Sequence, residues 1–110
     1  MKKIEAIIRP WLLDQVKIAL TESGVTGLSV TDVRGVGSSP TATPNLGALH
    51  SEMVLRVKIE IVVRDEEVEQ IVSLIEQHAW TGEPGDGKIF VLGMRDAIRI
   101  RTEERGDLVL

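Results

Sequence analysis

The sequence predicts an α+β domain in the order βαββαβ, two amphipathic helices packed on a sheet, and three patterns carry that expectation. Period-two alternation marks strands at residues 3–9, 28–33 and 53–63. Apolar residues at helical spacing mark helices near 12–23 and 68–79. A glycine- and proline-rich run at 81–87 then leads into a further apolar strand at 88–92.

The first strand begins at the start of the chain and is closed by Pro10, which also suits the first position of a helix because its missing N–H would have no partner there. Leu13, Val16 and Leu20 recur at helical spacing, Ala19 widens their stripe, and Gly24 falls where a helix ends. The run from Leu28 to Val33 alternates apolar and polar, as a half-buried strand does. Residues 35–51 are rich in Gly, Ser, Thr and Pro and hold almost nothing that could form a core, so a long functional loop is expected at about 36–52. In the next strand Val57, Ile59, Ile61 and Val63 share one face.

Asp65 is expected to cap the second helix, with Glu66 and Glu67 adding negative charge to its first turn. Val68, Ile71, Val72, Ile75 and Ala79 form its apolar stripe. A last strand is expected over residues 96–101, followed by a charged tail from about 102. The βαββαβ order is the split unit of ferredoxin-like folds, a scaffold that hosts many functions.

The whole chain of 110 residues suits one domain with a single core. That core must be aliphatic, because Trp11, Trp80 and Phe90 are the only aromatic residues. A net charge of -4 and the lack of aromatic stacking platforms argue against nucleic acid as a partner. The absence of cysteine removes disulfides, thiolate metal sites and thiol catalysis. No apolar stretch approaches a signal peptide or a membrane span, so a cytoplasmic location without membrane insertion is expected.

The sharpest local motif is Thr81-Gly82-Glu83-Pro84-Gly85-Asp86-Gly87-Lys88. Gly82, four residues and Gly87-Lys88 match the first part of a P-loop, but Ile89 stands where a magnesium-binding hydroxyl belongs, and a strand follows instead of a helix. Glycines let a backbone turn its N–H groups toward an anion beside a lysine; a tight turn with an incidental lysine is the competing reading. Arg99 and Arg101 alternate with Ile98 and Ile100, so in a strand both guanidinium groups would share a face, suited to polyphosphate or simply solvated. Gly35-Val36-Gly37 permits another close backbone approach, or is only the entry to the loop. Neither His50 nor His78 lies in a pattern with serine and carboxylate, so no catalytic residue and no metal site emerge, and the chain is not expected to be an enzyme. The competing reading is a small phosphate-handling enzyme on the same fold, acylphosphatase-like or a weak nucleotidase.

Taken together, residues 2–10, 27–37, 57–63, 81–91 and 98–102 resemble the PII signal-transducer family over nearly the whole chain. The resemblance implies a homotrimer of ferredoxin-like subunits that binds ATP or ADP, with Mg2+ admitted beside the nucleotide, in clefts between subunits. It implies that Gly35, Gly37 and Ser38 approach the nucleotide from the loop stem and that Ser29, Glu60 and Val62 surround the base. Gly85, Asp86, Gly87, Lys88, Arg99 and Arg101 would gather around the phosphates. The loop at 36–52 would dock on a target protein, an enzyme, transporter or transcription regulator in nitrogen or inorganic-carbon metabolism.

The chain departs from the family in its loop. Ser39 stands where members that bind 2-oxoglutarate carry a magnesium-holding glutamine, and Arg56 replaces the lysine that pairs with the keto-acid carboxylate. With no tyrosine in the chain, uridylylation of a loop tyrosine is excluded. Ser39 and Arg56 are the candidate effector residues, and a smaller anion such as bicarbonate, or the adenylate ratio itself, is expected to set the loop conformation rather than 2-oxoglutarate.

Overall fold

A computed structural model of the chain describes residues 1–36 and 53–110. Strand β1 is Lys2–Ile8; a 3-10 turn at Pro10–Leu12 opens helix α1, Leu13–Glu22; β2 is Ser29–Gly35 and β3 is Val54–Val63. A second 3-10 turn, Asp65–Glu67, opens α2, Val68–Ala79, and β4 is Lys88–Gly93. The 4-stranded sheet has the order β2-β3-β1-β4 with every neighbouring pair antiparallel, the topology of a ferredoxin-like α+β fold.

Alternation explains why one face of this sheet is dry. Ile4, Ala6 and Ile8 of β1 and Val57, Ile59, Ile61 and Val63 of β3 are buried on the helix side. Val16 and Leu20 of α1 and Ile71, Ile75 and Ala79 of α2 close over them. The β3, α1 and α2 positions belong to the expected strand face and helix stripes. Ile59 is fully buried, so truncating it leaves a void that the two central strands cannot collapse into. Ile59→Ala is expected to cost about 2–5 kcal/mol, read from the midpoint of urea denaturation; a shift no larger than that of a surface substitution would contradict this packing.

The opposite face carries charge. Lys3 Nζ lies 3.0 Å from Glu5 and 2.9 Å from Glu60, and Lys58 Nζ lies 3.2 Å from the other Glu60 oxygen. Register places Ser29 opposite Glu60, Val62 opposite Lys3 and Lys88 opposite Ile7, all on this helix-free side.

Two expectations are corrected. Asp65 does not cap α2: the Glu67 carboxylate accepts the Arg64 N–H at 3.2 Å instead. Antiparallel pairing of Lys2 with Val63 brings the N-terminal ammonium and Lys2 Nζ to Asp65, and full charges outcompete a backbone amide for its carboxylate. Residues 96–101 do not form a strand either. Arg99 N donates to Glu104 O at 2.9 Å and Glu103 N to Arg99 O at 2.8 Å, so the chain folds back through Glu103 at φ 62, leaving only an isolated bridge between Ile98 and Arg105. The Ile98/Ile100 alternation has no sheet to bury it, and Ile100 is 96% exposed. Arg99 and Arg101 therefore do not line up along a strand face; Arg99 pairs with Glu104 at 3.0 Å.

Candidate functional site

The glycine-rich turn at 81–87 sits at the end of the sheet where β1 finishes and β4 begins, and a carboxylate organises it. Asp86 Oδ2 accepts N–H bonds from Thr81 at 2.8 Å and Gly82 at 3.0 Å. Its Oδ1 takes Arg9 Nε at 3.1 Å and the Thr81 hydroxyl. Burial pushes the Asp86 carboxyl upward, but these donors outweigh burial and hold it well below the usual carboxylate range, so it is ionised at neutral pH.

Arg9 also donates to Pro84 O at 3.0 Å, with its guanidinium 5.5 Å from the Trp11 ring. Arg56, on β3, donates to Gly85 O at 3.2 Å and to Leu55 O at 2.8 Å. Burial, and then Arg9 nearby, press the Arg56 guanidinium below its usual range, partly offset by Asp86. The turn is thus clamped by two arginines around one carboxylate, a local excess of positive charge. Glu83 N is tied to Thr81 Oγ1 at 3.1 Å, whereas the N–H groups of Gly85, Asp86 and Gly87 have no partner among the described residues. Neighbouring free N–H groups beside the ammonium of Lys88 are the ingredients of an anion-binding turn.

Gly87 has a second reason to be glycine. Its φ is +105°, and a Cβ built there would lie 1.7 Å from the Ile7 carbonyl oxygen. Gly35 ends β2 opposite Val54, two residues from Arg56 along β3, so it shares this end of the sheet. A cavity of about 330 Å³ beside the turn is lined by Asp86, Gly87, Lys88, Ile7, Ile75 and Trp80.

The remaining candidates lie elsewhere. Lys88 stands opposite Ile7 and Gly93 opposite Lys2, five residues apart and so roughly 17 Å along the sheet. Past Gly93 the chain is anchored at that far end, with Met94 N donating to Met1 O at 3.2 Å. The tail stays there: Val109 and Leu110 line a cavity of about 360 Å³ together with Gly24, Gly27, Val62 and Arg64. Arg99 and Arg101 belong to this intervening segment, and Ser29, Glu60 and Val62 occupy the same half of the open face. Lys3 first and Lys58 second hold the Glu60 carboxyl below its usual range.

One chain therefore brings Gly35, Arg56, Gly85, Asp86, Gly87 and Lys88 together at one end of the sheet, whereas Ser29, Glu60 and Val62 lie toward the other end and Arg99 and Arg101 follow the far end of β4 in the chain. Gly37, Ser38, Ser39 and His50 lie outside the described residues. His78 Nδ1 is 2.8 Å from the Leu74 carbonyl oxygen, inside its own helix. Among the described residues no group of His, Cys, Asp and Glu could hold a metal ion, and no helix is long and apolar enough to cross a membrane. Arg9 and Thr81 are the organising residues that sequence reasoning missed. The Thr81-to-Asp86 spacing was a usable signal for the second, because Thr and Asp side chains commonly bond the backbone of tight turns.

Residues 1–104 match the family model described as Nitrogen regulatory protein P-II. A "Nitrogen regulatory protein P-II" of Rhodospirillum rubrum is 50% identical over 108 residues, covering 96% of both chains. One of Nostoc punctiforme is 48% identical over 107 residues, again covering 96% of each. A "Nitrogen regulatory protein P-II homolog" of Arabidopsis thaliana is 47% identical over 108 residues; the match covers 96% of this chain and 55% of that protein's length.

Proposed function

Since this chain belongs to the P-II nitrogen regulatory family, we propose that it binds ATP and ADP between the subunits of a homotrimer and signals their state to a target protein through the loop at 36–52. The observation that carries this reading is the set of free N–H groups at Gly85–Gly87 beside Lys88, backed by Arg9 and Arg56. That set suits a polyphosphate and holds no group placed to catalyse. Asp86, the acidic residue nearest to it, has both oxygens engaged, and His78 is bonded within α2. The reading is accordingly a regulator rather than an acylphosphatase-like enzyme or nucleotidase.

The separation of the two residue clusters supports a site shared between subunits. Arg99 and Arg101 of one copy would meet the glycine-rich turn of the next, with Ser29, Glu60 and Val62 near the base. Closed head-to-tail contacts of this kind generate a ring. Mg2+ would arrive with the nucleotide, since the described residues offer no acidic cluster to hold it.

Calorimetric titration with ATP, ADP and AMP tests the reading. ATP is expected to bind the wild-type chain, and Lys88→Ala should weaken it by about one to two orders of magnitude, the effect of one charge-assisted contact. Unchanged ATP affinity in Lys88→Ala would place the site elsewhere. In the same titration 2-oxoglutarate is expected to raise ATP affinity little, because Ser39 cannot supply the side-chain amide that would bridge magnesium to a keto-acid. Tight, magnesium-dependent 2-oxoglutarate binding would overturn that part.

A further inference from the structure

A carboxylate inside a phosphate-binding turn is electrostatically unwelcome, so its presence at position 86 needs a reason. We propose that Asp86 is a positioning residue that shapes the turn for phosphate without touching the ligand, using Arg9, the residue that follows β1, as its anchor. The inference rests on reading this turn as the phosphate site.

Both Asp86 oxygens are consumed inside the protein: one by the N–H groups of Thr81 and Gly82, the other by Arg9 Nε and the Thr81 hydroxyl. These bonds fold the first half of the turn onto itself. Thr81 Oγ1 in turn accepts Glu83 N–H, and the second arm of Arg9 holds Pro84 O. Every N–H from Thr81 to Glu83 is thereby spent, whereas those from Gly85 to Gly87 are left for a ligand among the described residues. The Arg9 side chain is only 13% exposed and that of Asp86 25%, so the pair is sheltered from the screening that weakens surface ion pairs. Arg9 also neutralises the charge that would otherwise repel phosphate.

The two roles open to Asp86 predict opposite signs. A carboxylate merely near the phosphates would repel them, and Asp86→Asn would tighten ATP binding. A carboxylate that shapes the turn is needed for it, and an Asn carboxamide cannot accept with both of its polar atoms, so the same change would weaken ATP binding. Titrating ATP and adenosine into the full-length assembly is the experiment. Asp86→Asn is expected to weaken ATP about tenfold, the scale on which outer-shell partners act, while adenosine, which has no phosphate, keeps its affinity within about twofold. Thr81→Val, which leaves the charge in place, should shift ATP in the same direction by less, and it serves as the test if Asp86→Asn fails to fold. Tighter or unchanged ATP binding in the variants, or an equal loss for adenosine, overturns the proposal while leaving the phosphate site standing. A wild-type chain that binds no ATP overturns both.

Discussion

Gly87→Ala is expected to destabilise the protein by about 3 kcal/mol or more, placing it among the large single-residue effects. Two costs add. Gly87 sits at φ +105°, where an L side chain is strained in any surroundings. Its Cβ would also fall 1.7 Å from the Ile7 carbonyl oxygen and 2.8 Å from the Ile7 carbonyl carbon, both of them backbone atoms. Relief requires β1 and β4 to separate where Ile7 faces Lys88, and that pairing fixes the exit of the glycine-rich turn. Gly93→Ala is the control on the same strand, with no atom within 4 Å of its built Cβ and no positive φ; it should stay within about 0.5 kcal/mol of wild type. Urea denaturation of the two variants decides the matter. Equal stability would mean that β1 and β4 do not approach this closely.

The same contact shows what the sequence could and could not reveal. The motif around Gly82 and Gly87-Lys88 was legible as a tight turn, because glycine and proline content is a local property. The strands and α2 were legible for the same reason: burial of Val57, Ile59, Ile61 and Val63 on one face, and of Val68, Ile71, Ile75 and Ala79 on another, follows from period alone. The bonding of Asp86 was not legible, because its partner Arg9 lies 77 positions away and meets it only once β1 and β4 pair. Asp65 fails as a cap for a like reason, since the ammonium it binds is 64 positions upstream. The expected strand at 96–101 shows the converse limit. Alternation signals a strand only where a sheet edge receives it, and local bonds from Arg99 to Glu103 and Glu104 turn the segment back first.

Mixed assemblies of two defective chains are expected to recover a wild-type ATP affinity that neither chain shows alone. Lys88 opens β4, and Gly93, which leads into the segment that carries Arg99, lies roughly 17 Å away at its other end by strand rise. If neighbouring subunits close the site, each cleft draws Lys88 from one chain and Arg99 from the next. Homogeneous assemblies of Lys88→Ala or of Arg99→Ala then carry a defect in every cleft. Random co-assembly at equal amounts puts an intact Lys88 opposite an intact Arg99 in about one cleft in four of a cyclic trimer. Calorimetry on the mixture, refolded together and checked by light scattering for a trimer, should resolve a minor class of sites with wild-type ATP affinity. Its stoichiometry should fall toward zero when the two homogeneous proteins are combined without exchange of subunits. Absence of that class in a verified mixed trimer would place Lys88 and Arg99 on the nucleotide within the same chain and refute the shared cleft, whereas wild-type affinity in homogeneous Arg99→Ala would remove Arg99 from the site. A monomer in light scattering would refute the shared cleft directly.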